Sequence, residues 1–331
     1  MRASGRSGNR TSRRLKASMA DILFIKTSSL GDVIHHFPAL TEARRKLPAA
    51  RFSWVVEEAY APLVRLHPAV SDVIPVATRR WRRAPLASST WREARAFSRA
   101  LRGRSYDAIV DTQGLLRTAL IARRARGIRH GYDAGSIKES LASPFYDVRH
   151  TVSRDLHAIR RNGLLTGVAL GYASEEAFDY GLPRAPRAAT QGYAILLHAT
   201  ARAEKQWPVE SWIALGESLR QRGLKLVLPW GTEAERQRSE QIAAAIPGAL
   251  VPDRQPLDAV AQLVGSASFV VGVDTGLLHL AAALSVPLVS IFIASKPGLT
   301  GPMGQGPIAV VGGDGAVPSV AEVMGAIKRI A

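Results

Sequence analysis

The sequence predicts an α/β protein made of two doubly wound domains, each a mainly parallel sheet flanked by helices. Three observations carry this prediction. Short apolar runs alternate with longer segments whose apolar residues recur at helical spacing. Small polar or charged residues follow several of these runs directly. A stretch over residues 182–191 contains prolines and no large apolar cluster, so we expect a linker there between domains over 20–181 and 192–331.

The first predicted strand is Ile22–Ile25, and a small polar turn over Thr27–Gly31 follows it. Apolar residues then recur at helical spacing as far as Leu47. Asp32 falls at or near the start of this helix, outside the carboxyl end of a strand, where open α/β sheets bind ligands. The alternative is a helix N-cap, for which Asp is favoured by about 1 kcal/mol. The neighbouring Lys26 and His35–His36 favour a functional site, because a cap needs neither.

The rest of the first domain continues the alternation of strands and helices. Strands are predicted over Phe52–Val56, Asp72–Val76 and Tyr106–Asp111, and helices over 91–104, from Leu115 and near 154–165. The basic cluster Arg79–Arg83 surrounds one tryptophan and is expected to be a solvated loop, although nucleic-acid binders also interleave such residues. We expect an irregular stretch around His130–Tyr132 and Lys138–Ser140.

The second domain repeats the pattern. Strands are predicted over Tyr193–Leu197, Leu224–Leu228, Ser268–Gly272 and Val286–Ile291, and a short helix over Leu257–Val264. Pro208 suits the first turn of a helix. A closing helix runs to Ile330 with Ser319 as its expected N-cap. This last helix is expected to pack on its own domain or back on the first.

Polar residues at the strand ends of the second domain suit an anionic ligand. Thr200 and Lys205 offer a hydroxyl and a cation for phosphate oxygens. Asp274–Gly276 opens a helix, whose backbone N–H groups and dipole favour an anion. Glu235 offers oxygens that accept from sugar hydroxyls. The alternatives are an N-cap role for Asp274 and plain surface charge for Lys205 and Glu235.

Composition excludes several classes of protein. With 331 residues and 47% apolar residues, the chain suits two globular domains. It has no cysteine, which excludes disulfides, thiolate metal sites and cysteine nucleophiles. No G-x-G-x-x-G or P-loop motif is present, and no Asp-x-Asp or histidine cluster suggests a metal. No apolar run approaches the roughly 20 residues of a membrane helix.

The net charge of +17 is concentrated in the first half, with +15 over residues 1–181 and +2 over 182–331. An anionic partner is expected there: nucleic acid, an acidic membrane surface or a phosphorylated substrate. Residues 1–19 carry six basic residues and no acid, which predicts a disordered basic tail or an extended translation start. This tail lacks a signal-peptide core, which argues against secretion.

Seven motifs occur in order between about residue 21 and about residue 300: Lys26–Val33, Trp54–Glu58, Arg79–Arg82, His198–Thr200, Lys205–Pro208, Leu228–Gly231 and Val273–His279. Together they resemble the lipopolysaccharide heptosyltransferases, glycosyltransferase family 9. The elements K-T-S-S-x-G-D and V-D-T-G-L-x-H-L are typical of the family as a whole. The elements R-R-W-R and L-P-W-G are typical of its type I members.

The resemblance implies a GT-B fold, with two Rossmann-like domains facing a cleft, and an inverting, metal-independent glycosyltransferase without a cofactor. The implied donor is ADP-L-glycero-β-D-manno-heptose, and the implied acceptor is the inner Kdo of Kdo2-lipid A. An enzyme of this kind is expected in the cytoplasm, peripherally attached to the anionic inner-membrane surface, with no nucleic acid as partner.

The resemblance also implies roles for individual residues. Asp32 would be the general base. The implied donor-binding residues are Thr200 and Lys205 for the phosphates, Glu235 for the ribose, and Asp274, Thr275, Gly276 and His279 for heptose and diphosphate. The implied acceptor-binding residues are Lys26, Arg79, Arg82, Lys138 and His157.

Two positions depart from the family pattern. Ala201 stands where a second Thr is common, and Ile293–Pro297 replaces a G-P-T-D-P element, with Lys296 as a substitute phosphate contact. Neither touches Asp32. Three alternatives stay open at this point: another nucleotide-sugar enzyme, either heptosyltransferase II-like or an epimerase; a nucleic-acid-binding module; and a binding protein without catalysis.

Overall fold

The computed structural model describes residues 19–176, 178–183, 192–200, 202–294, 298–313 and 315–330. The chain divides into two compact units, Met1–Gly181 and Leu182–Ala331. The predicted tail, up to residue 18, and most of the predicted linker, residues 184–191, lie outside the described residues. In the described part of the chain, no helix is both long and apolar enough to cross a membrane.

The first unit contains a six-stranded parallel sheet in the order β3-β2-β1-β4-β5-β6. Its strands are β1 Asp21–Ile25, β2 Arg51–Glu57, β3 Val70–Val76, β4 Ser105–Asp111, β5 Arg126–Tyr132 and β6 Val148–His150. Its helices are α1 Leu30–Ile34, α2 Phe37–Lys46, α3 Ala61–Arg65, α4 Thr78–Arg83, α5 Ser88–Arg102, α6 Leu116–Arg124 and α7 Ala158–Leu170. The strand order reverses between β1 and β4, so this junction is the topological switch point at which such sheets bind ligands.

The helix predicted from Leu30 to Leu47 is two helices. The chain leaves the first helix at His35, and Pro38 lies in the first turn of α2. Proline lacks the N–H that a continuous helix would need at this position, which explains the break. The short helix α1 is therefore a separate element that carries Asp32.

The basic cluster Arg79–Arg83 lies in helix α4, so the predicted loop is wrong. The carboxylate of Glu57 explains this helix, because it accepts from the Thr78 hydroxyl at 2.7 Å and the Arg79 N–H at 2.9 Å. These bonds satisfy donors at the helix start that would otherwise need water. The stretch around His130–Tyr132, expected to be irregular, belongs to β5.

The second unit contains a five-stranded parallel sheet in the order β11-β10-β9-β7-β8. Its strands are β7 Tyr193–Leu197, β8 Lys225–Val227, β9 Phe269–Val273, β10 Leu288–Phe292 and β11 Ile308–Gly312. Its helices are α8 Val209–Arg220, α9 Glu233–Ala244, α10 Leu257–Gly265, α11 Gly276–Ala283 and α12 Val320–Ile330. Counted along the unit, the order is the flavodoxin-like 2-1-3-4-5, which places the switch point between β7 and β9.

The closing helix α12 belongs to the core of the second unit, where Val323, Ala326 and Ile327 are buried with side chains of β9 and β10. The sequence allows this helix to pack on either domain. Its buried side chains belong to the hydrophobic core of the second unit. The predicted cap at Ser319 is confirmed, since its hydroxyl and Glu322 form a capping box, with the Ser319 N–H 2.7 Å from the Glu322 carboxylate.

Candidate active site

The switch point of the first unit joins the segments that leave β1 and β4. Gln113, which follows β4, accepts the backbone N–H groups of Thr27 and Ser28 at 3.2 and 3.1 Å. The guanidinium of Arg117 donates to the Ser28 hydroxyl at 2.5 Å. The turn that leads into α1 is thereby fixed from the β4 side, which holds Asp32 at the end of the sheet.

Asp32 is the third residue of α1, and the N-cap is Ser29, so the alternative of Asp32 as N-cap is wrong in detail. Its carboxylate accepts the Ser29 N–H at 2.8 Å and the Ser29 hydroxyl at 3.3 Å. Asp32 is half-buried. Both of these bonds go to Oδ2. In the described part of the chain no hydrogen bond engages Oδ1, which leaves this oxygen for a ligand. The residue therefore combines a capping role with a carboxylate oxygen suited to proton transfer.

Lys26 lies inside the unit, with 5% of its surface exposed. Its ammonium donates to the Thr112 carbonyl at 2.9 Å and the Asn162 amide oxygen at 3.4 Å. Burial lowers the pKa of Lys26, although the carboxylates of Asp32 and Asp111 act in the opposite direction. Because its ammonium donates to these interior groups, Lys26 supports the site from the interior of the unit and does not form part of its surface.

Asn162, on α7, links this cation to the helix that carries Asp32. Its side-chain amide donates to the His35 carbonyl at 2.9 Å, just beyond the end of α1. Asn162, Gln113 and Arg117 are site neighbours that no sequence motif predicts. Gln113 follows a predicted strand, which is a weak signal, but the other two become neighbours of the site only through the order of strands.

The predicted acceptor-binding residues of the first unit lie on several elements. Arg79 and Arg82 are exposed on one side of α4, and the Arg79 guanidinium lies 5.3 Å from the centre of the Tyr60 ring. Lys138 is exposed beyond β5, and its charge contributes to the lowered pKa of Lys26. His157 accepts the Ile159 N–H at 3.2 Å as the N-cap of α7.

Two further contacts show how His157 and Arg80, a neighbour of Arg79 on α4, differ in their surroundings. The His157 ring lies 5.4 Å from the His35 ring, which places it beside the segment that follows Asp32. In contrast, Arg80 binds the carboxylates of Glu58 and Glu93 at 2.9 and 2.8 Å. Arg80 therefore stabilises the position of α4, whereas Arg82 is exposed and Arg79 is exposed beside the Tyr60 ring.

The switch point of the second unit brings together residues from the ends of β7 and β9. The Thr200 hydroxyl donates to the Asp274 carbonyl at 3.0 Å, and the Lys205 ammonium lies 2.5 Å from Oδ2 of Asp274. The side chains of this ion pair are only 17% and 14% exposed. Lys205 is therefore not plain surface charge, and its cation lies beside the start of α11.

Helix α11 begins at Gly276, with Thr275 as its N-cap, so the N-cap alternative for Asp274 is wrong. Asp274 precedes the cap and binds Lys205. The backbone N–H groups at the start of α11 and the Lys205 cation together form a positive region suited to phosphate oxygens. His279 is buried on the same helix, one turn after Gly276.

Glu235 is the third residue of α9, and its carboxylate caps that helix. Its Oε2 accepts the Gly231 and Thr232 N–H groups at 2.7 and 3.1 Å, and the Thr232 hydroxyl accepts the Glu235 N–H at 3.3 Å. Glu235 is half-buried, so the alternative of plain surface charge is wrong. As with Asp32, the described bonds to its carboxylate engage one oxygen and leave the other for a ligand hydroxyl.

Two of the sequence predictions fall on residues that the structure does not describe: Ala201 and Lys296 lie outside its ranges. Among the residues that it does describe, no three histidine, aspartate or glutamate side chains form a group that would hold a metal ion.

Two doubly wound α/β units, with a half-buried carboxylate at one switch point and a cationic helix start at the other, have the arrangement expected of a glycosyltransferase that uses a nucleotide-activated sugar. The profile of glycosyltransferase family 9 (heptosyltransferase) matches residues 94–324. The chain belongs to this family.

Curated relatives support this assignment over most of the chain. Lipopolysaccharide heptosyltransferase 1 of Escherichia coli K12 is 41% identical over 291 residues, covering 86% of this chain and 91% of the relative. The protein of the same name from Pseudomonas aeruginosa is 44% identical over 292 residues, covering 86% of this chain and 81% of the relative. Lipopolysaccharide heptosyltransferase 2 of E. coli K12 is 31% identical over 106 residues, 30% of each chain.

Solved structures confirm the predicted fold class. The E. coli heptosyltransferase WaaC with ADP superposes with a TM-score of 0.87 at 38% identity, covering 94% of this chain and all of that one. The structure of WaaC with ADP-2-deoxy-2-fluoro heptose gives a TM-score of 0.83 at 37% identity. The fold is GT-B, and the epimerase alternative is excluded by family membership.

Proposed function

We propose that this chain transfers L-glycero-D-manno-heptose from ADP-L-glycero-β-D-manno-heptose to the inner Kdo of Kdo2-lipid A, in synthesis of the lipopolysaccharide inner core. The transfer inverts the anomeric centre and needs no divalent metal. The observation that carries the proposal is the position of Asp32, a half-buried carboxylate with Oδ1 left for a ligand at the switch point of its sheet. The extended similarity to proteins named heptosyltransferase 1 supports this choice of acceptor.

Asp32 acts on the acceptor as general base. Its Oδ1 takes the proton from the Kdo hydroxyl while the hydroxyl oxygen forms a bond to the anomeric carbon of heptose. The bond from that carbon to the phosphate oxygen breaks on the opposite face, and ADP leaves with the electron pair. Such a transfer needs one positioned base, and general-base catalysis contributes typically 10²–10⁴-fold to a rate.

The second unit binds the donor and stabilises the leaving diphosphate. Negative charge develops on ADP as the glycosidic bond breaks, so fixed positive groups at that point lower the barrier. Lys205 and the N-terminus of α11, at Thr275 and Gly276, supply them, and the Thr200 hydroxyl exchanges its bond to the Asp274 carbonyl for one to a phosphate oxygen when the donor binds. Asp274 keeps Lys205 in place. Glu235 binds the ribose hydroxyls, and His279 contacts the heptose.

The first unit binds the acceptor through its basic residues. Arg79, Arg82, Lys138 and His157 bind the phosphates and carboxylates of Kdo2-lipid A. The planar guanidinium groups suit bidentate contacts with such anions. Lys26 acts beneath them, because its buried ammonium attracts Asp32 and fixes the β4 side of the site. The enzyme works in the cytoplasm, peripherally attached to the anionic inner membrane, since its acceptor is a membrane lipid.

The direct test is an assay of the purified chain with ADP-heptose and Kdo2-lipid A, followed by ADP release and by the mass of the glycolipid. We expect addition of one heptose, with little activity when ADP-glucose replaces the donor or when lipid A without Kdo replaces the acceptor. Activity should persist in EDTA. Turnover only on an acceptor that already carries heptose would instead assign the chain a heptosyltransferase II function.

A further inference from the structure

A wide groove crosses the surface of the first unit between α4, α5 and α6, with a volume of about 1240 Å³. Its apolar floor includes Val76, Trp81, Phe97 and Ile121. The segment before α5 and the outer faces of α5 and α6 form its rims. We call this surface the α5–α6 groove.

The charge that lines the α5–α6 groove is entirely positive. None of the lining residues is acidic. Six arginines contribute to the lining: Arg92, Arg95, Arg99, Arg102, Arg117 and Arg124. None of the six takes part in an ion pair within the described chain. Helix α5 fully buries only Leu101 and packs Phe97 against the core, whereas its side at Trp91, Arg95 and Arg99 is exposed.

Large apolar side chains project from the same rims. Leu86 is 90% exposed, Trp91 57% and Leu120 45%. Trp91 precedes Arg95 and Arg99 at intervals of four residues, so all three lie on one stripe of α5. Exposed apolar groups gathered in one place mark an interaction surface, because covering them removes apolar area from water.

We infer that the α5–α6 groove docks the enzyme on a bilayer that contains anionic phospholipids. Leu86, Trp91 and Leu120 enter the interface between headgroups and acyl chains, while the arginines bind headgroup phosphates. Trp91 shares its exposed stripe of α5 with Arg95 and Arg99, and basic residues beside an exposed tryptophan are typical of helices that lie in a membrane interface. Tryptophan in particular favours the headgroup level.

This inference rests on the proposed function and deepens it, since it assigns membrane attachment to particular residues. Arg117 connects the two surfaces: it lines the groove and also donates to the hydroxyl of Ser28, the residue directly before Ser29, which is the N-cap of the helix that carries Asp32. A bilayer bound at the groove therefore lies next to the segment that carries the base.

The positive charge and the exposed leucines of the groove disfavour two other occupants. The chain's own residues 1–18 carry six basic residues and no acid, so the like charges of the groove repel them. A nucleic acid would match the arginines and Trp91, since bases stack on aromatic rings. It has no comparable use for Leu86 and Leu120, which need an apolar environment.

The test measures binding of the full chain to vesicles of 70% phosphatidylethanolamine and 30% phosphatidylglycerol, by co-sedimentation and tryptophan fluorescence. The double variant Arg95→Ala/Arg99→Ala should bind at least tenfold more weakly. The matched control Arg222→Ala/Arg254→Ala removes two exposed arginines of the second unit and should bind normally. Added salt should weaken wild-type binding, because exposed charges are screened.

Fluorescence locates the contact. Trp54, Trp207 and Trp212 are fully buried, Trp81 is partly buried in the groove floor and Trp91 is exposed, so insertion should shift mainly the Trp91 emission to the blue. Trp91→Phe should lose this shift and keep vesicle binding. Turnover on detergent-dispersed Kdo2-lipid A should be unchanged in Arg95→Ala/Arg99→Ala, while turnover on vesicle-embedded acceptor should fall.

Several results would overturn the inference: equal binding to phosphatidylcholine vesicles, unchanged binding by the groove variant, or loss of binding only on deletion of residues 1–18. Tight binding of single-stranded RNA that the groove variant abolishes, without vesicle binding, would assign the groove to nucleic acid. The proposed function is tested separately, because it fails only if the wild-type chain does not turn over the detergent-dispersed acceptor.

Discussion

At the scale of single residues, the two carboxylates of the proposed site share one local geometry. Asp32 and Glu235 are each the third residue of a helix, and each accepts the N–H of the N-cap residue, Ser29 or Thr232. The sequence places both acids near helix starts, but spacing alone does not separate an N-cap from a third position, because helix ends are set by the backbone. Substitutions that keep the cap acceptor are therefore needed to test function.

Lys205 allows a test of the donor site at this scale. Lys205→Ala removes the cation beside the start of α11, so ADP-heptose binding should weaken and kcat should fall together. Both effects are expected because the cation meets phosphate charge in the ground state and in the transition state. Calorimetry with ADP and steady-state kinetics measure the two effects.

Asp274→Asn is the matched comparison for Lys205→Ala, since it removes the partner of the ion pair but keeps the cation. It should lower donor affinity less than loss of the lysine. An unchanged donor affinity in Lys205→Ala would show that the ammonium serves only its ion pair with Asp274.

At the scale of elements, sequence patterns located the buried strands and missed those with little apolar content. Strand β5 begins with Arg126 and Gly127, and its first three residues are exposed. Strand β6 has three residues and β11 is only partly buried, so neither shows a clear apolar run. Helix α4 was missed for a different reason, since the carboxylate that binds the start of this helix belongs to Glu57, 22 residues before Arg79.

Helix α4 provides a prediction about acceptor binding. Arg79 and Arg82 are three residues apart on this helix and therefore project from one side of it. The double variant Arg79→Ala/Arg82→Ala should raise the KM for Kdo2-lipid A severalfold and leave the KM for ADP-heptose nearly unchanged. Higher salt should reproduce the effect in the wild-type chain.

Two further variants serve as comparisons for the α4 prediction. Arg80→Ala breaks the ion pairs with Glu58 and Glu93 and should lower the thermal stability of α4 and its surroundings. Deletion of residues 1–19 should change the acceptor KM much less than the arginine substitutions. An unchanged KM in the double variant, or loss of activity on deletion alone, would place acceptor binding elsewhere.

At the scale of the whole molecule, the sequence predicts two doubly wound units but not their strand orders. The first sheet reverses between β1 and β4 and the second between β7 and β9. These orders bring Gln113 to the Asp32 turn and Asp274 to Thr200. Pairing of distant strands is decided by tertiary packing, which explains why the strand ends were predictable and most of the contacts between them were not.

The buried histidines of both units predict the pH dependence of stability. Burial lowers the pKa of His67, His130 and His198 to about 4, against about 6.5 in an unfolded chain. Between these values the unfolded chain binds more protons, so the free energy of unfolding falls as pH drops from about 6.5 toward 4. Urea unfolding at pH 7.5 and 5 should show this loss, and His67→Gln should reduce its slope. Equal midpoints at the two pH values would contradict it.

The most direct test of the central claim is the turnover of Asp32→Asn with ADP-heptose and Kdo2-lipid A. Asparagine keeps an oxygen to accept the Ser29 N–H, so the variant should retain its melting temperature and ADP affinity while losing the base. We predict a fall in kcat of about two or more orders of magnitude, as expected for loss of a general base. A folded Asp32→Asn variant with wild-type turnover would contradict the account, because Asp32 would then serve only as a cap.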